Sequence, residues 1–264
     1  MLRDQFSAHI GYLFSDLPIE ERVIAAAAAG FTAVEHPQPF ALDQNHMRRL
    51  LIDNGLFFAQ LAGGAGDPSR GEKGLAALPG READFRAGFD RSLEYAVAVG
   101  SPYIHPMAGV PPVEDDAQWC GVYRENIQYA VEQTSRTGVK VLIEAISSAA
   151  IPGYAISSLG DAMRVQDAFG LSNIALLVDT YHARSTGIDP AKWLRSNLNR
   201  VGHIHIADYP GRHEPGTGDI DFDEVLRTLT EQQFDGAIGF EFVPTTTTQE
   251  SVMFLNEWKS RAQQ

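Results

Sequence analysis

Residues 174–207 read IALLVDTYHARSTGIDPAKWLRSNLNRVGHIHIA, and this stretch sets the frame for the whole chain. Two short β-rich apolar runs, Ile174 to Asp179 and Val201 to Ala207, flank a helical pattern from Pro190 to Asn197. Pro190 suits a first helical turn, so the segment predicts strand, helix and second strand, the unit of a parallel sheet. The same alternation runs outward in both directions. Strands are predicted at Phe6 to Ile10, Ala33 to His36, Leu56 to Leu61, Tyr103 to Met107, Val139 to Ala145 and Ala237 to Phe242, beside the two above. Helical patterns follow them at Pro18 to Ala29, Asp43 to Asn54, Glu82 to Val99, Ala117 to Thr137, Ser158 to Phe169, Asp221 to Glu231 and Thr248 to Arg261. Several close on a glycine, as at Gly100 and Gly170, where a helix end favours positive φ. Dividing 264 residues among eight units gives 33 per unit, the size of a βα repeat, and no Pro- or Ser-rich linker interrupts the series. One domain, residues 1–264, is expected, folded as a single α/β (β/α)8 TIM barrel. An open doubly wound sheet would normally carry a Gly-rich phosphate turn after its first strand, and Ile10-Gly11-Tyr12-Leu13-Phe14 is not one.

Composition narrows the function classes. Hydrophobic residues make up 44% and charged residues 21%, which excludes a disordered or fibrous chain. With 21 Lys and Arg against 34 Asp and Glu, the net charge of -13 argues against a non-specific grip on nucleic acid or anionic lipid, while leaving room for a local basic pocket for a small acid. The lone Cys120 cannot close an internal disulfide. The start MLRDQFSAHIGYLF lacks the pattern of a secretory leader, and no run approaches the roughly 18 apolar residues of a membrane span. A cytoplasmic location without membrane or nucleic-acid partners is expected.

In such a barrel the active site lies at the C-terminal strand ends, so the residues that terminate the apolar runs matter most. Val141-Leu142-Ile143 ends in Glu144, Leu176-Leu177-Val178 in Asp179, and Ile238-Gly239-Phe240 in Glu241, while His203-Ile204 leads to His205. A single acid at a strand end is more often a turn or helix cap than a ligand. Four donors on consecutive strands form a mixed oxygen and nitrogen set suited to a divalent cation such as Mg2+ or Mn2+. His203 and His205 share strand parity; His205, nearer the end, is the candidate ligand and His203 packs lower. His182, three residues after Asp179, and His105, after Tyr103-Ile104, also reach the rim, although His105 is as readily a core histidine. His9 and His36 are weaker cases, and His46 belongs on a solvated helix face. In the loop Asp208 to Gly218, Arg212 is the candidate fork for a substrate carboxylate. The segment Gly63 to Glu82, with Gly63-Gly64-Ala65-Gly66, is expected to form a mobile lid or an exposed loop. That segment, or the surroundings of Trp119 and Trp193, is where a homo-oligomer contact is expected if one forms. Nucleophile elbow, P-loop, dinucleotide fingerprint and Cys pair are all absent from the sequence.

Three stretches carry a resemblance over nearly the whole chain: Gly74-Leu75-Ala76-Ala77-Leu78-Pro79-Gly80-Arg81-Glu82, Met107-Ala108-Gly109-Val110, and Arg212-His213-Glu214-Pro215 before Gly218-Asp219-Ile220. They resemble the hydroxypyruvate isomerases, within the xylose-isomerase-like barrels that also hold ketose 3-epimerases and endonuclease IV. The resemblance implies a divalent metal held by Glu144, Asp179, His205 and Glu241, with Glu144 and Glu241 as the acid/base pair. It implies an aldose-ketose isomerase acting on a small oxo acid, hydroxypyruvate to tartronate semialdehyde or a 2-oxo-tetronate analogue. Some of these isomerases carry an amide where His205 stands, whereas epimerases carry His. Epimerases also place a further Glu shortly after the one matching Glu144, where this chain has Ala145-Ile146-Ser147-Ser148-Ala149-Ala150. A ketose 3-epimerase is the near alternative. An endonuclease IV-like nuclease is the alternative from another class, which calls for several metals, more rim histidines and a cationic surface; a sugar-sensing barrel without catalysis is a third.

Overall fold

Nine strand segments, all paired in parallel, run in the order β3-β2-β1-β9-β8-β7-β6-β5-β4 in a computed structural model that describes residues 5–112 and 116–262. The first four residues of the N-terminal stretch read above lie outside the described residues. The segments are β1 (Phe6–His9), β2 (Ala33–Glu35), β3 (Phe57–Phe58), β4 (Gln60–Gly63), β5 (Tyr103–Pro106), β6 (Lys140–Glu144), β7 (Ile174–Asp179), β8 (Val201–Ile206) and β9 (Ala237–Phe240). The expected third strand is present as two pieces. Phe57 and Phe58 pair with β2, Gln60 to Gly63 pair with β5, and Ala59 N between them donates to Val34 O at 2.9 Å. One chain segment therefore joins the two ends of the sheet and closes the eightfold barrel.

Helices α1 (Ile19–Ala28), α2 (Gln44–Asp53), α3 (Glu82–Val99), α4 (Asp116–Thr134), α5 (Leu159–Phe169), α6 (Thr180–Ser185), α7 (Pro190–Asn197) and α8 (Phe222–Glu231) follow the strands. The expected C-terminal helix is divided into α9 (Thr248–Ser251) and α10 (Leu255–Ala262), and α6 is an element that periodicity does not announce. α8 shows how the outer ring is held. Phe222, Val225, Leu226 and Leu229 form one buried stripe at helical spacing, and Asp221 caps the first turn by accepting from Glu224 N at 3.0 Å.

Strand alternation separates two environments. Phe6, Ala8, Val34, Val141, Ile143, Leu176, Val178, Ile204, Ile206, Ile238 and Phe240 turn outward and share one apolar core with the helices. The remaining parity fills the barrel in layers. Ala33, Ala59 and Ala237 form one small buried cluster and Leu142, Ala175 and Leu177 another. Above them the inward positions become polar: Ser7, His9, Glu35, His105, Glu144, Asp179, His203 and His205 are all buried. Among the described residues, this cluster of buried acids and histidines lies toward the C-terminal ends of the strands, the side where barrel enzymes carry their sites.

Candidate active site

Glu144 ends β6, Asp179 ends β7, His205 stands next to last in β8, and Glu241 follows β9 directly. Register brings them level, since Asp179 pairs with His205 and His205 with Gly239, two residues before Glu241. Each offers one ligand atom, and the four atoms lie within 4.8 Å of one another. His205 Nδ1 is the hub, 3.2 Å from Glu241 Oε2 and 3.9 Å from Glu144 Oε1. It is buried and completes no hydrogen bond, and a buried polar atom without a protein partner calls for another ligand. Three carboxylates and one imidazole could hold a divalent cation, and the orphaned nitrogen fits that role. A cavity of about 480 Å³ opens above the quartet, lined by Glu144, His205 and Glu241 together with His105, His182 and Arg212.

The two glutamates sit in opposed electrostatic settings. Burial, reinforced by Glu241 and Asp179 and opposed by His205 and Arg212, pushes the Glu144 carboxyl up to about 8. Burial acts on Glu241 in the same sense but is overcome by Arg212, His205 and His9, which hold its carboxyl well below the usual range. A protonated acid beside an ionised carboxylate is the division of labour that proton transfer needs. This arrangement also makes the metal-free protein sensitive to pH. The folded value of Glu144 lies above its ordinary value of 4.5, so its contribution to stability is full below that value and is lost as pH rises through about 8. With a chelator present, the Tm of the wild type is expected to fall relative to Glu144→Gln as pH is raised from about 5 to about 9. A constant difference across that range would show that Glu144 ionises freely.

The xylose isomerase-like TIM barrel family model matches residues 23–258. The chain belongs to that family. Within it, the chain is 36% identical over 258 residues to a 2-oxo-tetronate isomerase of Cupriavidus necator, covering 97% of this chain and 99% of the relative. It is 31% identical to the hydroxypyruvate isomerase of Escherichia coli, with 98% of this chain and all of the relative covered. Among solved structures, one described as an AP endonuclease, family 2, from Brucella melitensis superposes with a TM-score of 0.91 at 29% identity, covering 96% of this chain and 98% of that one. The family resemblance read from the three stretches above is thereby confirmed, as is the barrel.

In this family member Asp179 serves two structural ends at once. Its Oδ1 caps α6 by accepting from His182 N at 3.0 Å, while Oδ2 faces the quartet. The cap expected of Asp179 is present, and its other oxygen is left beside the quartet's donors. The same turn carries His182 to the cavity, 3.8 Å from Asp179 Oδ2 through Nε2 and 3.2 Å from Ser147 Oγ through Nδ1. His105 Nδ1 lies 3.5 Å from Glu144 Oε2, and burial lowers this imidazole to about 3, so it stands there neutral.

Arg212 is drawn closer to the quartet than a fork for substrate alone requires. Its Nη2 donates to Glu241 Oε2 at 2.6 Å and to Asp179 Oδ2 at 3.3 Å, while the guanidinium lies over the rings of Tyr12 and Tyr181. Its backbone is left-handed at φ 56°, held by Arg212 N to Asp208 O and by Val243 N to Arg212 O, both 2.8 Å. Asp208 organises the whole loop. Its Oδ1 accepts from Tyr209 N and Ile220 N, and its Oδ2 accepts from Gly216 N and Gly218 N.

Sequence reading gives no site role to Glu35 or Gln60 and ranks His9 only as a weaker rim case. Glu35 is fully buried with its carboxylate 2.8 Å from His203 Nε2 and 2.9 Å from His205 Nε2. His9 Nε2 lies 3.3 Å from Glu241 Oε1, and Gln60 lines the cavity. A lone acid inside the apolar run Ala33-Val34-Glu35 was the available signal. His36, just past β2, also lines the cavity and accepts from Gln38 N at 2.9 Å in a local turn. The expected lid is corrected in extent. Gly63 belongs to β4, and Leu75, Ala76 and Ala77 are buried and hydrogen-bonded to Gly64 O, Met107 O and Ala108 O, so only the surface around residues 67–73 retains the character of a loop over the mouth.

Proposed function

We propose that this protein is a metal-dependent aldose-ketose isomerase for a small oxo acid, converting hydroxypyruvate to tartronate semialdehyde or a 2-oxo-tetronate analogue in the same way. The observation that carries the reading is Glu144 and Glu241 bracketing one imidazole nitrogen, at 3.9 and 3.2 Å, at the floor of a cavity about 480 Å³ in volume. The names of the relatives, 2-oxo-tetronate isomerase and hydroxypyruvate isomerase, support the substrate class. Absence of a further glutamate between Ala145 and Ala150 speaks against a 3-epimerase.

Glu144, Asp179, His205 and Glu241 would hold Mg2+ or Mn2+. A divalent cation held there would supply Lewis-acid stabilisation of the negative charge that develops on the substrate. Interconversion of an α-hydroxy aldehyde and an α-hydroxy ketone removes a proton from carbon beside a carbonyl and returns one to the neighbouring carbon. Glu241, kept ionised by Arg212, His205 and His9, accepts the proton through a carboxylate oxygen. Glu144 delivers a proton to the neighbouring carbon, the substrate's hydroxyl proton passes to the former carbonyl oxygen, and proton exchange with solvent returns Glu241 to the carboxylate and Glu144 to the acid. His105 and His182, which line the cavity, would orient the hydroxyl and carbonyl groups, and Arg212 would screen the carboxylates from an anionic substrate while presenting its remaining donors to it.

A panel of oxo acids and neutral ketoses, assayed with Mg2+ or Mn2+ in deuterated solvent, tests the reading. Turnover of hydroxypyruvate or a 2-oxo-tetronate with solvent deuterium in the product is expected. Preference for a neutral ketose would instead favour epimerisation, and cleavage of abasic DNA without isomerase activity would favour the nuclease alternative. In the same assay Arg212→Ala is expected to raise KM for oxo acids about tenfold or more, the loss typical of a charge-assisted hydrogen bond, and to change KM for neutral sugars much less. An equal rise for both would assign Arg212 to the loop alone.

A further inference from the structure

One layer below the quartet, a buried carboxylate touches the back of its only imidazole. Glu35 Oε1 lies 2.9 Å from His205 Nε2, Glu35 Oε2 lies 2.8 Å from His203 Nε2, and Ser7 Oγ donates to Oε2 at 3.1 Å. Glu35 and His203 are fully buried, and His205 is 2% exposed. Gly239, on the neighbouring strand, makes this approach possible. A Cβ there would overlap Glu35 Oε1 and come within 2.9 Å of His203 Nε2, so the residue leaves room for the carboxylate.

His205 has two faces. Nδ1 looks into the quartet toward Glu241 and Glu144, and Nε2 looks down at Glu35. A neutral imidazole offers one lone pair, and the location of its proton decides which nitrogen offers it. Neither Nε2 contact to Glu35 is a straight hydrogen bond, so the selection is electrostatic. Without a cation, carboxylates at both faces, Glu35 at 2.9 Å from Nε2 and Glu241 at 3.2 Å from Nδ1, each favour an N–H on the nitrogen they meet; a cation on the quartet would displace the Nδ1 proton, and Glu35 would keep the one on Nε2.

Building on the cation reading above, we propose that Glu35 is a positioning residue that keeps the proton on His205 Nε2. Nδ1 is then left as the lone pair presented to a cation held by Glu144, Asp179 and Glu241. The carboxylate acts through His205 and touches neither cation nor substrate. It also locks the ring in place, because His203 and Ser7 hold the carboxylate from its other side.

The test uses the full chain and Mn2+, titrated calorimetrically, together with ¹⁵N spectra of His205 in the Mg2+-loaded protein. Wild type is expected to bind one Mn2+ with the His205 proton on Nε2. Glu35→Leu is expected to weaken Mn2+ binding about 10- to 100-fold and to disturb that single-tautomer signature. Glu35→Gln, which keeps an acceptor oxygen without charge and is less disruptive to folding, is expected to fall between. In a His205→Ala background the Glu35 substitutions are expected to have no further effect on Mn2+ affinity. Equal Kd values and unchanged ¹⁵N shifts in both Glu35 variants overturn the positioning role alone, as does a full additional loss in the His205→Ala background. A second Mn2+ equivalent in wild type that disappears in Glu35→Leu overturns it in favour of a metal site formed by Glu35, His203 and His205. Failure of the wild type to bind Mn2+ at all removes the cation reading, and this proposal with it.

Discussion

Glu241→Gln is expected to lower kcat for the oxo acid by about 10²- to 10⁴-fold, the usual span for loss of a general acid or base. The amide cannot accept a proton from carbon, yet it keeps the size of the side chain and an oxygen for Arg212 and His9. Glu144→Gln is expected to lose turnover on the same scale, because both proton-transfer partners act within one cycle. Solvent-deuterium exchange separates the two roles. The Glu241 variant should lose both exchange and turnover on this scale, whereas the Glu144 variant should retain exchange at the hydroxymethyl carbon if Glu241 removes the first proton. Near-normal turnover in either variant with cation bound, shown by direct titration, would mean that the acid/base pair lies elsewhere.

Asp208→Ala is expected to have the largest effect on stability. The carboxylate is fully buried and accepts from four backbone N–H groups, at 2.8 Å from Tyr209, 2.8 Å from Gly218, 2.9 Å from Gly216 and 3.2 Å from Ile220. A buried donor left without its partner costs about 1–3 kcal/mol, so the variant should lose roughly 3–5 kcal/mol after partial relaxation of the loop. The turn cannot easily close the gap, because a Cβ on Gly218 would already overlap Tyr209 O. Arg212 rides on this loop, so activity should fall together with the midpoint of urea unfolding. A loss below about 1 kcal/mol would show that solvent replaces the carboxylate without cost.

The contrast between Asp208 and Glu144 shows how far the chain can be read without its fold. Glu144, Asp179 and Glu241 stand at the ends of apolar runs, and His205 is one step short of an end, so strand periodicity alone assigns all four to the C-terminal rim of a barrel. Asp208 lies in a polar loop where nothing local distinguishes it from Asp219 or Glu214. Its importance comes from donors up to 12 residues away that converge only when the loop is closed.

Local pattern thus decides the number of βα units, their direction, and the parity that turns each side chain inward or outward, because these follow from backbone geometry over a few residues. Tertiary structure decides which charges neutralise one another. Glu35 meets His203 and His205 from the far side of the barrel, His9 meets Glu241 across 232 positions of sequence (241 less 9), and Arg212 lies against two acids of other strands. The break at Ala59 that closes the sheet is of the same kind, set by two different neighbours competing for one short run. Such pairings depend on distances of a few ångströms between segments remote in the chain, where Coulomb energy is steep and local periodicity carries no record of the partner.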